Sequence, residues 1–587
     1  MRRYPLLALL LFSTGFLLFH GREAAHSGSW DFIITHDDEY IYWALARGSM
    51  EQPAADANPF YYEERLPGNP LPAYLTVTAA GKLAAALAIG VLSLLPAWKI
   101  LMPFSLWLAL FLCLVRLWGR APGESAALAL LVLLSTLFMH GAAQFTLFRF
   151  PRPGDGLGLV LLWLSLLVHA DKMSARRYVG AMLATGLATM ALTPYFTILQ
   201  VWTLGLQWAY EGWVRRDWSR ARPHLVVLAV LFAGACGYLA FILASLDESF
   251  WIRAVLDVDR KPERYVHFPS LALYAVVCLG TWAMHRRTGD LTRFDRLVLF
   301  VVALDPLTAN VRLVLGQDHQ IGLHRYYFLV PQIACLLGWA IEKAQILVRD
   351  AVFRRIAYWP VLGLVWCEAF VLGHTGLNYF RLLPRDESTF RMYDHSLLLL
   401  FLLPPILLGP WAFARFARFA RLLRRPLLAG AALALIALAG YGLRESQLQR
   451  HNRAIPFSGA YTWLSEHGVE DAVMLTGPSR YTNVDYSMFY ADVRPYYNTN
   501  GQRFSGDPAA KEHRRFVSAA LISGGLPFVL LEFPTIAAKL RHLKLDYVLV
   551  ARPGPFVDKV RKQLAGHINE EVYRDERCIL WRVVLPE

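Results

Sequence analysis

The feature that most limits what this chain can become is a succession of apolar runs long enough to cross a bilayer, separated by short loops rich in arginine. At 56% hydrophobic residues the chain is too apolar for a soluble protein. A net charge of +14 would suggest a nucleic-acid partner in a soluble chain. Here the arginines cluster in loops between apolar runs, as the positive-inside rule expects, so nucleic acid is excluded as a partner and the lipid bilayer takes its place.

The opening residues MRRYPLLALLLFSTGFLLFH read as an uncleaved first span, with Arg2 and Arg3 on the cytoplasmic side. Residues 21–97 then form a long outer loop whose last part, 73–95, reads as an interfacial helix interrupted by Gly81 and Lys82. Later spans are expected at 98–116, 124–141, 156–170, 178–193, 195–210, 224–246, 269–285, 297–315, 326–342, 356–373, 396–414 and 426–443. With the first, that makes about 13 transmembrane helices.

One orientation puts every strongly basic loop on one face: Lys172 to Arg177, Arg215 to Arg222, Arg286 to Arg296, Lys343 to Arg355 and Arg415 to Arg425. An odd number of spans then leaves residues 444–587 outside. This tail is polar, with β-rich runs AVMLTG, LPFVLLE, LDYVLVA and CILWRVV between helix-like segments, and reads as a small α/β domain. The expected fold is therefore an α-helical polytopic membrane protein, with a transmembrane domain at 1–443 and an extracytoplasmic α/β domain at 444–587. Cys113, Cys236, Cys278, Cys335 and Cys367 lie within apolar runs and Cys578 outside them, so no disulfide framework is implied.

Three stretches on the outer face carry candidate chemistry. The first is THDDEYIYW, residues 35–43, where Asp37, Asp38 and Glu39 crowd at the foot of a span. Poor solvation and like-charge repulsion raise carboxylate pKa values, which suits a general base, and adjacent acids also suit a divalent cation, Mg or Mn, if further ligands converge in space. The bland alternative is that these acids cap the helix begun by IYWALARG. Tyr40, Tyr42 and Trp43 follow as amphipathic interface residues.

The second is FRFPRPGDG, which places Arg149, Arg152 and Asp155 at the mouth of the bundle, unless it is an ordinary short loop. The third comprises outer-side basic residues, Arg253 to Arg264 and the stretch QDHQIGLHRYYF, in which His324, Arg325 and Tyr326 open a span. Arginine binds phosphate bidentately, and a phosphate leaving group on a lipid fits such a cluster. The acids of loop 247–268 could equally pair with that loop's own basic residues. Asp305 and Arg312 sit on one helix face and read foremost as an intramembrane ion pair. Phosphate-loop, dinucleotide and HExxH motifs are absent from the sequence.

These pieces together resemble the GT-C superfamily of polytopic glycosyltransferases, especially its protein mannosyltransferase and aminoarabinose transferase branch. DDEYIYWALARG is similar to the superfamily's first outer acidic motif, NPLPAYLTVTAAGKLAAAL to its interfacial helix, and LFRFPRPGDGLGLVLL to its second acidic segment. The resemblance implies Asp38 as catalytic carboxylate with Asp37 as the alternative, Asp155 as the second acid, Arg325 as a donor-phosphate contact, and a polyprenyl-phosphate sugar as donor. The acceptor would be an envelope glycan, lipid or protein. Asn69-Pro70 replaces the His-Pro of the interfacial motif, and Thr193-Pro194-Tyr195 stands where a lysine is usual.

The expected activity is inverting transfer of that sugar to an acceptor hydroxyl on the periplasmic face of a bacterial inner membrane. A transporter or flippase of lipid-linked sugars, or a non-catalytic assembly factor of the same fold, is the rival.

Overall fold

A computed structural model describes residues 3–27, 75–117, 154–245, 266–288, 291–315, 457–469, 472–476, 493–495, 545–552, 556–566 and 570–584, apart from a few positions within these ranges. It also describes scattered residues of 42–50, 121–130, 327–339 and 491. The expected spans at 356–373, 396–414 and 426–443, most of 124–141 and the run LPFVLLE lie outside the described residues.

The chain divides into two compact units, one of residues 1–15, 99–240 and 252–446, the other of 16–98, 241–251 and 447–587. The first unit is helical. Its elements are α1 (Arg3–Ser27, whose end belongs to the second unit), α3 (Leu95–Leu112, whose first four residues do), α4 (Gly154–Val168), α5 (Ala175–Leu192), α6 (Tyr195–Ala209), α7 (Trp218–Ser245, whose last five residues do), α8 (Phe268–Thr288) and α9 (Arg293–Leu315). Two stretches, Val91–Val115 and Trp218–Tyr238, are each long and apolar enough to cross a membrane. At a rise of ~1.5 Å per residue the first reaches roughly 37 Å, more than the ~30 Å hydrocarbon core. Large apolar side chains face outward along the helices, among them Leu6, Leu7 and Leu10 of α1, Phe232 of α7 and Leu279 of α8. Inward, Trp107, Trp163, Tyr178, Phe196, Tyr327 and Trp339 build one apolar core.

Helix ends follow local chemistry more than hydropathy. The α7 helix begins at Trp218, ahead of the expected 224, because Asp217 Oδ1 accepts from the Arg220 N–H at 3.2 Å and from Ser219 Oγ at 2.5 Å. Those bonds hold the Asp217 carboxyl below the usual carboxylate range. Likewise α9 begins at Arg293, because Thr292 and Asp295 cap it reciprocally: Thr292 N–H donates to Asp295 Oδ2 at 2.8 Å and Asp295 N–H to Thr292 Oγ1 at 3.2 Å. Arg220, Arg222, Arg293 and Arg296, expected in loops, are thus helical. The hairpin at Pro194 is as short as anticipated: α5 ends at Leu192 and α6 starts at Tyr195. Pro194 sits where its missing N–H costs nothing.

In the second unit, α2 (Leu75–Ala86) spans only 12 residues, too few to cross a bilayer. The helical residues of 42–50 pack on it at Gly81, where a Cβ would collide with Ser49 Oγ and the Ala46 carbonyl. Lys82 Nζ donates to the Met50 carbonyl at 3.3 Å. The two residues that interrupt the apolar pattern are therefore its points of contact.

The C-terminal part contributes α10 (Ser458–Glu466), β1 (Val473–Thr476), β2 (Arg494–Pro495), β3 (Tyr547–Ala551), α11 (Phe556–Gln563), β4 (Glu570–Arg574) and β5 (Cys578–Arg582). The strands form one sheet in the order β2-β1-β3-β5-β4, with β1 parallel to β2 and β3, and β5 antiparallel to β3 and β4. Strands β1, β3 and β5 are nearly continuous buried runs, as central strands covered on both faces should be. The fourth strand, EEVYR, is exposed and charged, and its register shifts between Glu571 and Tyr573. Asp575 shapes the β4–β5 turn by accepting from the Arg577 and Cys578 N–H groups at 2.6 and 2.7 Å.

Candidate functional site

Of the candidate catalytic and substrate-binding residues, Asp155 is the one that lies among the described residues. It occupies the first turn of α4, where a carboxylate is favoured by the helix dipole. Thr193, fully buried in the α5–α6 turn, donates its hydroxyl to Asp155 Oδ1 at 2.7 Å. Gly156 makes this approach possible, since a Cβ there would lie 2.8 Å from Thr193 Oγ1 and 3.3 Å from Phe196 Cδ2. Beside the turn, the Tyr195 ring meets the Tyr327 ring edge-on at 5.5 Å, and Phe196 meets Phe328 at 6.3 Å.

Tyr327 and Phe328, the last two residues of HRYYF, thereby pack on the same turn that holds Asp155. Asp37, Asp38, Glu39, Tyr40, Arg149, Arg152, His324, Arg325 and Tyr326 lie outside the described residues, as does the Arg312 side chain. Asp305 is buried. Among the described residues no cluster of three or more His, Cys, Asp or Glu side chains could hold a metal.

Below Asp155 a polar stripe runs down α6. Thr193, Thr197, Gln200, Thr203, Gln207 and Glu211 recur at helical spacing of three or four residues, and all are buried. Some are satisfied: Thr203 Oγ1 donates to the Leu199 carbonyl at 2.7 Å and Gln207 Nε2 to Glu211 Oε1 at 3.0 Å. Among the described residues, Thr197 Oγ1, both amide atoms of Gln200 and the buried amide of Gln332 find no hydrogen-bond partner. Unpartnered buried amides are costly in a bundle of this kind and mark functional candidates. The stripe was open to sequence reading, because its six positions share one face of an otherwise apolar segment.

At its far end the helix widens into a π turn, Tyr210–Val214, which carries Glu211. Such turns concentrate at functional positions. Glu211 Oε1 pairs with Arg296 of α9 at 2.9 Å, and both side chains are more than nine-tenths buried. The Arg296 guanidinium also lies 4.8 Å from the centre of the Tyr210 ring.

No protein-family model matches this chain, and no curated protein does so at sequence level. Solved structures do show a likeness along nearly the whole length. ArnT from Cupriavidus metallidurans bound to undecaprenyl phosphate is 14% identical, with 98% of each chain covered and a TM-score of 0.49. The same protein in the apo state is 12% identical, with 94% of this chain and 96% of that chain covered and a TM-score of 0.41. The arabinofuranosyltransferase AftD from Mycobacteria is 12% identical at a TM-score of 0.42, covering 99% of this chain and 40% of its own.

Proposed function

We propose that this protein is a membrane glycosyltransferase that moves a sugar from a polyprenyl-phosphate donor to an acceptor hydroxyl at the end of the bundle where Asp155 lies. The observation that carries the reading is Asp155 itself, a carboxylate at a helix start, half-buried and fixed by Thr193 Oγ1 at 2.7 Å. Asp38, or its neighbour Asp37, takes the proton from the acceptor hydroxyl as the new C–O bond forms on the anomeric carbon. The bond from that carbon to phosphate oxygen breaks on the opposite face, inverting the centre and releasing polyprenyl phosphate.

Arg325 and His324, with Arg149 and Arg152, neutralise the departing phosphate, while Tyr326, Tyr40 and Glu39 orient the substrates. If a divalent cation takes part, Asp37, Asp38 and Glu39 are its ligands. The reaction faces the periplasm of a bacterial inner membrane, and residues 444–587 form a domain on that side.

The test is transfer from a labelled polyprenyl-phosphate sugar to membrane extract by purified protein and by Asp38→Asn, Asp37→Asn and Asp155→Asn. Undiminished transfer in all three, and in the Asp37/Asp38 double variant, would refute the assignment. A periplasm-active reporter fused after Leu443 should be active, and silence there would overturn the orientation.

A second reading draws support from the polar stripe on α6. A carrier of lipid-linked sugars needs polar groups through the depth of the bundle, and Gln200 and Gln332 provide unpartnered ones. Proteoliposomes separate the two: a carrier moves the labelled lipid across the bilayer without an acceptor, and the transferase does not.

A further inference from the structure

At the end of the helical unit opposite Asp155, a cavity of about 240 Å³ opens between the ends of α4, α6, α7 and α9. Its walls carry both signs of charge: Asp171 and Glu211 face the same space as Arg220, Arg293 and Arg296. On the rim, Asp171 is bridged by Arg293 and by Arg220, the latter at 3.8 Å, and Arg220 reaches Asp217 at 3.1 Å. At the base the pair Glu211–Arg296 leaves two buried atoms without a hydrogen bond, the Arg296 Nε donor and the Glu211 Oε2 acceptor. Arg215 approaches that oxygen only to 3.8 Å. Both atoms lie beneath the cavity floor with almost no exposed area, so the pair contributes its field to the cavity, while Asp171, Arg220 and Arg293 on the rim are the charges a ligand can touch.

The position of the cavity fixes the kind of molecule that reaches it. Trp213 in the π turn and Trp218 at the start of α7 are 64% and 50% exposed, and aromatic residues of this kind gather at the headgroup level of a bilayer. Leu225 and Val226 continue outward along α7 as exposed apolar surface. A ligand with a polar end in the cavity and acyl chains along that surface satisfies both. A bare phosphate would leave Glu211 and Asp171 facing an anion, and a bare amine would leave three guanidiniums facing a cation.

We infer that this cavity holds the headgroup of a zwitterionic phospholipid bearing a primary amine, a phosphatidylethanolamine, its phosphodiester toward Arg220, Arg293 and Arg296 and its ammonium toward Glu211 and Asp171. The site is separate from the transfer reaction and does not depend on it. It makes a bilayer lipid a resident ligand of the bundle.

Native mass spectrometry of the full-length protein in detergent tests this with phosphatidylethanolamine, phosphatidylcholine and phosphatidylglycerol of matched acyl chains. Phosphatidylethanolamine should be retained about fivefold over either competitor, the size expected for one charge-assisted contact at a half-exposed site. Arg220→Ala should erase that preference, while Arg222→Ala, exposed on the same helix but outside the cavity lining, should keep it. Equal retention of phosphatidylcholine, whose quaternary amine has no N–H, would overturn the proposal, and so would equal retention of phosphatidylglycerol. Displacement of the lipid by millimolar orthophosphate alone would reassign the cavity to a free anion. An undiminished preference in Arg220→Ala would place the lipid elsewhere.

Discussion

Thr193 donates its hydroxyl to Asp155 Oδ1 at 2.7 Å, joining the start of α4 to the turn between α5 and α6. A hydrogen bond to a charged group contributes about 1.5–3 kcal/mol, roughly one to two orders of magnitude in rate if the carboxylate must be held in place during reaction. Thr193→Val should therefore lower kcat by that factor with little change in KM, and Thr193→Ser should restore most of it. Steady-state kinetics on the labelled donor measures this, and a Val variant at wild-type rate would detach Thr193 from the chemistry.

Gly156 stands where any side chain meets Thr193 and Phe196. Gly156→Ala should cost about 1–3 kcal/mol, as overpacking of a filled site does. A lowered unfolding midpoint in detergent, together with reduced transfer, is the expected result. A variant as stable as wild type would mean that the turn yields without cost.

The Glu211–Arg296 pair is a buried ion pair, and removing one partner of such a pair leaves an uncompensated charge. Arg296→Met should destabilise the protein by ~3–5 kcal/mol, whereas adding Glu211→Leu should recover most of that loss. Chemical denaturation of the single and double variants gives the comparison. Additive losses would show that the two charges do not act as a pair.

Tyr573 Oη donates to Asp575 Oδ2 at 3.0 Å, and burial, followed by that bond, pushes the phenol up to about 12. A raised phenol stabilises the fold in its neutral form. That contribution is complete below the ordinary value of 10.0 and is lost as pH rises through about 12. Thermal unfolding followed by the near-ultraviolet dichroism of the C-terminal aromatic residues should fall more steeply over that window in wild type than in Tyr573→Phe. Parallel curves would remove the hydroxyl from the account.

Much of the helical unit was legible in the sequence, because its apolar runs have the length and spacing of helices that pack in lipid. The boundaries were less so: Asp217 and the Thr292–Asp295 box start α7 and α9 early, and capping is invisible to hydropathy. Strand β4 is not legible in the sequence because EEVYR is highly charged and becomes a strand beside β5. At the candidate site Asp155 was foreseen from the turn before its helix. Its partner Thr193 stands out in the sequence only as a departure from a basic residue, since a contact across 38 positions has no local signature. The Glu211–Arg296 pair, 85 positions apart, was hidden for the same reason.

The exposed strand β4 carries a consequence for the protein among its own copies. In a membrane, chains share one plane and meet one another in similar orientations, so a flat, unpaired sheet margin would invite strand-to-strand zippering between neighbours. The margin of this sheet bears Glu570, Glu571 and Arg574, and its register slips at Glu571. Charge and irregularity make it a poor template, so a crowded membrane can hold many copies without their sheets joining.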